Sequence, residues 1–218
     1  MVVAAFALLL VGPGAAQGAV SGSVDTTTKV ATLSYDDAGD GVTIGTDPSN
    51  PALLAHSDDP AFASPDDFDS TVDGDQTVPA GDSTWTVAVA GGAGDDTLQV
   101  GDGTITGGAA KISPQVTFEG AAGADRLDVT DAGGTAPDGS VVVDDTTVGG
   151  LGGNRTFTAN TESVDVATGG VDDTVDIAKS NGVTTTSVEG GPGADAITVG
   201  QGATSTAAPS KAATGTTR

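Results

Sequence analysis

Aspartates that recur at one position of a repeated segment are the residues of this chain best placed to do chemistry. The segments GGAGDDTLQV (91–100), GAAGADRLDV (120–129), TGGVDDTVDI (168–177) and GGPGADAITV (190–199) put Asp96, Asp125, Asp173 and Asp195 at their sixth residue. A looser copy surrounds Asp40. Each Asp closes a Gly-rich stretch, and Gly with Asp makes tight turns. If such turns lie one above another, their carboxylates fall near the strand spacing of ~4.8 Å. Like charges at that distance repel by roughly 1 kcal/mol in water and about 3–4 kcal/mol at an effective dielectric of 20. A bridging cation relieves that repulsion; turn closure alone also accounts for the residues.

Charge points the same way. The chain has 30 Asp and Glu against 7 Lys and Arg, a formal charge of −23. Phosphate backbones and anionic membranes are repelled by such a surface, and cations are attracted. Cysteine is absent, so thiolate metal sites, disulfides and thiol redox chemistry are excluded.

Catalytic signatures are missing as well. His56 is the only histidine and sits in LLAHSDDP, where it reads as a solvated loop residue. No H-E-x-x-H, G-x-S-x-G or G-x-x-x-x-G-K-[ST] pattern occurs. A β-helix polysaccharide lyase would need a basic catalytic residue, for which Arg126 and Arg155 are the candidates with nearby acids. Arg126 falls at an outward position, and Trp85, Tyr35 and five Phe furnish few aromatic platforms for sugar. The chain is expected not to be an enzyme.

The elements that must position the aspartates are short strands. Aliphatic residues follow each Asp at the second and fourth places: Leu98 and Val100, Leu127 and Val129, Val175 and Ile177, Ile197 and Val199. That spacing puts both side chains on one face of a strand. Upstream of each turn stands a second pair: Val87 and Val89, Val116 and Phe118, Val164 and Val166, Thr186 and Val188. The Asp40 copy keeps the register with Ala31, Leu33, Val42 and Ile44. A single strand–turn–strand unit cannot bury these pairs, whereas piled units form a continuous internal ladder. The pattern predicts an all-β fold, a parallel β-solenoid (β-helix- or β-roll-like) with irregular rungs. A β-sandwich of hairpins is the alternative.

Around the repeats, residues 2–11 form an apolar run too short to cross a bilayer. It reads as an export signal over residues 1–19 that lacks the usual basic n-region, as a truncated signal would. Residues 20–200 form the repeat domain, with a Pro/Asp-rich insertion at 46–82 and an irregular unit around Val141 and Val143. Residues 201–218 read as a flexible Ala/Thr/Ser-rich tail. Asn154-Arg155-Thr156 fits a glycosylation sequon.

The segments GGAGDDTLQ and GGPGADAIT resemble the nonapeptide G-G-x-G-x-D-x-U-x of haemolysin-type (RTX) calcium-binding repeats. The resemblance implies calcium held by the carboxylates of Asp96, Asp125, Asp173 and Asp195, with Asp95 beside the first. It implies backbone carbonyls from the turns of Gly91, Gly92 and Gly94 and of Gly190, Gly191 and Gly193. This chain departs from the family in spacing its copies apart, in Ala121 for the second Gly, and in Thr168 and Val171 for Gly. Together these features predict a secreted or cell-surface, calcium-binding structural protein. Its alternative is a metal-free structural or adhesive module of the cell envelope.

Overall fold

The computed structural model describes residues 20–36, 39–59, 62, 65–69, 77–103, 108–153, 155–157, 160–178, 185–200 and 205–207. The expected export signal, Asn154 of the sequon and most of the expected tail lie outside them. The described chain is all-β, built as one nine-stranded and one seven-stranded sheet of mixed parallel and antiparallel pairing.

The path alternates between the sheets. It opens in the nine-stranded sheet with β1 (Ser21–Asp25) and β2 (Val30–Ser34), then crosses to β3 (Gly41–Thr46) and β4 (Leu54–Ser57) in the seven-stranded sheet. It returns for β5 (Thr86–Ala90), crosses to β6 (Thr97–Val100), returns for β7 (Gln115–Glu119) and crosses to β8 (Asp125–Thr130). A meander of β9 (Ser140–Asp144), β10 (Thr147–Gly149) and β11 (Arg155–Phe157) follows in the nine-stranded sheet. Alternation then resumes through β12 (Thr161–Ala167), β13 (Thr174–Ile177), β14 (Thr185–Glu189), β15 (Ala196–Val199) and β16 (Ser205–Ala207). β16 lies within the stretch read as a tail and pairs in parallel with β14.

Parallel, in-register pairing turns the aliphatic pairs into ladders. Val42, Leu98, Leu127, Val164 and Thr186 align across the seven-stranded sheet, and Ile44, Val100, Val129, Val166 and Val188 run beside them. Ala31, Val87 and Val116, with Leu33, Val89 and Phe118, face them from the other sheet. All are buried, and all but Thr186 belong to one hydrophobic core. Burying one such aliphatic contributes about 1.5–3 kcal/mol, so the ladders supply the main favourable term. The irregular unit also joins the core: Val141 and Val143 are buried and align with Val175 and Ile177.

The two ends of the sheets differ. At the start, β1 and β4 run antiparallel to β2 and β3. Residues of the 46–82 segment cover β4: the Leu54 N–H donates to the Val78 carbonyl (2.7 Å), and His56 and Asp66 exchange backbone bonds (3.0 and 2.7 Å). The Phe68 carbonyl lies so close to Gly22 that a Cβ there would come within 2.4 Å. At the other end, β15 has β13 on one side and no described strand on the other.

Candidate functional site

Each unit joins its two strands through a turn that ends on the acidic residue, but the units do not all turn in the same place. β2, β5 and β7 lead from the nine-stranded sheet into β3, β6 and β8, through turns carrying Asp40, Asp96 and Asp125. β12 and β14 lead the opposite way, into β13 and β15, through turns carrying Asp173 and Asp195. Because these strands run parallel within each sheet, the first set lies at one edge and the second at the opposite edge.

At each edge the carboxylates form a relay along the backbone. The Asp40 N–H donates to Asp96 Oδ1 (2.9 Å), the Asp96 N–H to Asp125 Oδ1 (2.9 Å), and the Asp125 N–H to Glu162 Oε2 (2.7 Å). At the second edge the Asp138 N–H donates to Asp173 Oδ1 (3.0 Å) and the Asp173 N–H to Asp195 Oδ1 (3.0 Å). Asp95 and Asp172 bond in the reverse sense, accepting from the Ala124 and Ala194 N–H groups (both 2.8 Å). A bond from a backbone N–H to a charged acceptor contributes about 1.5–3 kcal/mol, so the relay fixes neighbouring turns to one another.

Two relay members were not among the expected ligands. Glu162 has Val164 and Val166 at the second and fourth places, but the FTANT before it lacks the template's glycines and Arg155 stands where the apolar residue belongs, which hid the match. Asp138 is offset by one residue, Gly139, so Val141 and Val143 fall at the third and fifth places.

Glycine is needed where the carboxylate folds back over the turn. A Cβ on Gly120 or Gly190 would come within 2.4 Å of Oδ2 of Asp125 or Asp195. Gly191 takes φ 70° against the Gly169 carbonyl, and Ala121, at the corresponding place, is held at φ 69°. An L-residue in that left-handed region carries about 1–2 kcal/mol of strain.

The second carboxylate oxygens distinguish the turns. Asp96 Oδ2 accepts the Gly92 N–H (2.9 Å), which completes that turn internally. Oδ2 of Asp125, Asp173 and Asp195 is buried without a hydrogen-bond partner. A buried carboxylate oxygen lacking a donor is unfavourable and is relieved by a proton or a cation. Burial, ahead of the neighbouring acids, pushes the Asp125 carboxyl up from its usual range. Asp138 is pushed up to about 6, first by burial and then by Asp131 beside it.

No family model, curated protein or solved structure matches this chain. The turns are therefore read from their own chemistry. Calcium takes six to eight oxygen ligands. Among the described residues no three acidic or histidine side chains converge into a metal cluster. The donors that each turn presents are all oxygen, and the orphaned Oδ2 atoms are of the type a hard cation takes. Each unpartnered Oδ2 thus offers a single oxygen donor, with no acidic cage around it among the described residues.

The remaining sequence candidates do other work. Arg126 lies in a shallow groove of about 340 Å³ on the outer face of the seven-stranded sheet. Its Nε donates to Asp128 (2.5 Å) and forms an ion pair with Asp165 (2.8 Å), setting one positive charge between two acids that are adjacent across β8 and β12. Arg155 aligns with Val116 and is fully buried. Its guanidinium donates to the carbonyls of Ala109, Ile112 and Leu151 (each 2.9 Å), and to those of Pro114 and Gly153. Burial lowers its pKa to about 9. His56, expected in solvent, is buried in β4 because the 46–82 segment folds over it. Its Nε2 donates to the Asp67 carbonyl (3.0 Å), and its ring meets Phe68 edge-on.

Proposed function

We propose that this chain is a non-catalytic, exported β-solenoid of structural or cell-surface role whose Gly/Asp turns bind calcium. Strand alternation between two sheets, with in-register parallel neighbours, supports the solenoid. One observation carries the calcium reading: Asp125, Asp173 and Asp195 each present a buried carboxylate oxygen with no donor, beside glycine turns. Calcium supplies the missing positive charge and offsets repulsion along each relay. The chain's own part is to hold the carboxylates by their Oδ1 atoms and to keep Cβ atoms out of the turn.

Melting in calcium and in EDTA tests this. Calcium near ~1 mM acting on a site of about 10–100 µM contributes roughly 1.4–2.7 kcal/mol per site. Two sites are expected to raise the melting temperature by several degrees. Superimposable curves would reject calcium and leave the second reading, a metal-free structural solenoid. That reading is favoured by a specific feature: Asp96 already has N–H donors on both oxygens.

A further inference from the structure

We propose that β15 is a docking strand for a second copy of this chain, giving a closed dimer joined end to end. In the relay, β15 follows β13, and the Ala196 and Gly200 N–H groups turn toward it, donating to the Asp173 and Ile177 carbonyls (both 2.8 Å). The alternate residues Ile197 and Val199 therefore turn their backbone donors and acceptors to the open side. Among the described strands none takes them up. Val199 is 44% exposed although its ladder mates Val143 and Ile177 are buried. In a chain of charge −23, the Ala196–Val199 strand carries no charge, and charged residues are a usual protection of free edges.

The occupant follows from the asymmetry of the ends. At the first end Phe68 and Val78 are buried against β1 and β4 and cap the core, and the edge strand β1 carries Asp25, so no uncharged strand flanks an open core there. An identical open end is the complementary surface that remains, and pairing it with itself closes the assembly at two subunits. An antiparallel register centred on Thr198 sets Ile197 opposite Val199 of the second copy, and Val199 opposite its Ile197. Both become hydrogen-bonded pairs, and each apolar ladder continues into the other molecule.

Sedimentation of the full chain at 5–200 µM (about the range of weak dimers) in physiological salt is expected to show a concentration-dependent dimer, with calcium and with EDTA alike. Val199→Lys should abolish it without changing the melting temperature of the dilute monomer, because that side chain is exposed there. Val142→Lys, on the exposed outer face of β9, should leave it intact. The chain has no cysteine, so Thr198→Cys gives a single thiol on the two-fold axis, where facing Cα atoms about 4.5 Å apart suit a disulfide. Mild oxidation should cross-link that variant and not Thr32→Cys. A monomer throughout, with no cross-link above the Thr32→Cys control, overturns the proposal. So does a dimer seen only after removal of residues 208–218, which would mean that the chain's own end covers β15. Since the dimer is expected in both buffers, its failure is separable from failure of the calcium reading.

Discussion

Asp173→Asn separates a metal ligand from a turn-former, because asparagine keeps the acceptor and removes the charge. Asp173 is buried between Asp138 and Asp195; its Oδ1 accepts the Asp138 N–H, and its Oδ2 has no partner. Without calcium, two effects oppose. Weakening a charge-assisted bond costs about 1 kcal/mol. Removing one charge from the relay gains roughly 1–2 kcal/mol from two neighbours, taking the screened value at strand spacing. The net is neutral to about 1 kcal/mol stabilising. With calcium the variant also forfeits a site of about 1.4–2.7 kcal/mol. For a chain of this size 1 kcal/mol is about 2–4 °C in melting temperature. Calorimetry should therefore show no change or a small rise in EDTA and a fall of several degrees in 2 mM (roughly physiological, extracellular) calcium. An equal shift in both buffers would show that no ion depends on this carboxylate.

Three further outcomes follow from individual residues. Ala121→Gly should raise stability by about 0.5–1 kcal/mol in urea titrations, since it releases left-handed strain at φ 69°; Gly191→Ala should lower it by more, its Cβ meeting the Gly169 carbonyl at 2.3 Å. Arg155→Leu, which the apolar ladder alone would welcome, should destabilise by about 3–5 kcal/mol in the same assay because five carbonyls lose a charged donor, of which only those of Ala109 and Ile112 keep a backbone N–H. Burial lowers the His56 pKa, so the unfolded chain takes up this proton first. Its stabilising contribution is complete above about 6.5 and is lost as pH falls below that value. Melting temperatures of wild type and His56→Gln should accordingly diverge in wild type's favour as pH rises from 5 to 7 (about the imidazole range).

The aliphatic spacing made the strands and their buried faces legible, because a period of two with Asp as a fixed marker survives large changes in the intervening loops. Val175 and Ile177 are buried as their spacing requires, with Asp176 between them only partly so. The edge at which each turn sits was not legible. A strand–turn–strand unit has the same local pattern whichever sheet it leaves. Glu162 was hidden by the loss of the glycines before it and Asp138 by the inserted Gly139. Arg155 violates the apolar pattern outright, and only the convergence of distant carbonyls from 109–114 and 151–153 makes it a core residue. His56 misled for a related reason: proline and aspartate around it spell a loop, but long-range packing of Phe68 and Val78 buries it.

The unequal ends also give the molecule a mechanical polarity. Under tension applied at its two ends, the start is braced by Phe68 and Val78, packed against β1 and bonded to β4, whereas β15 meets only β13 among the described strands. Unravelling should begin at the C-terminal side and proceed one unit at a time. The 22 residues between Asp173 and Asp195 would release a contour of about 70–80 Å per step. A chain tethered by its first end would thus behave as a ratcheted spring, yielding length from the free end while its anchored half stays folded.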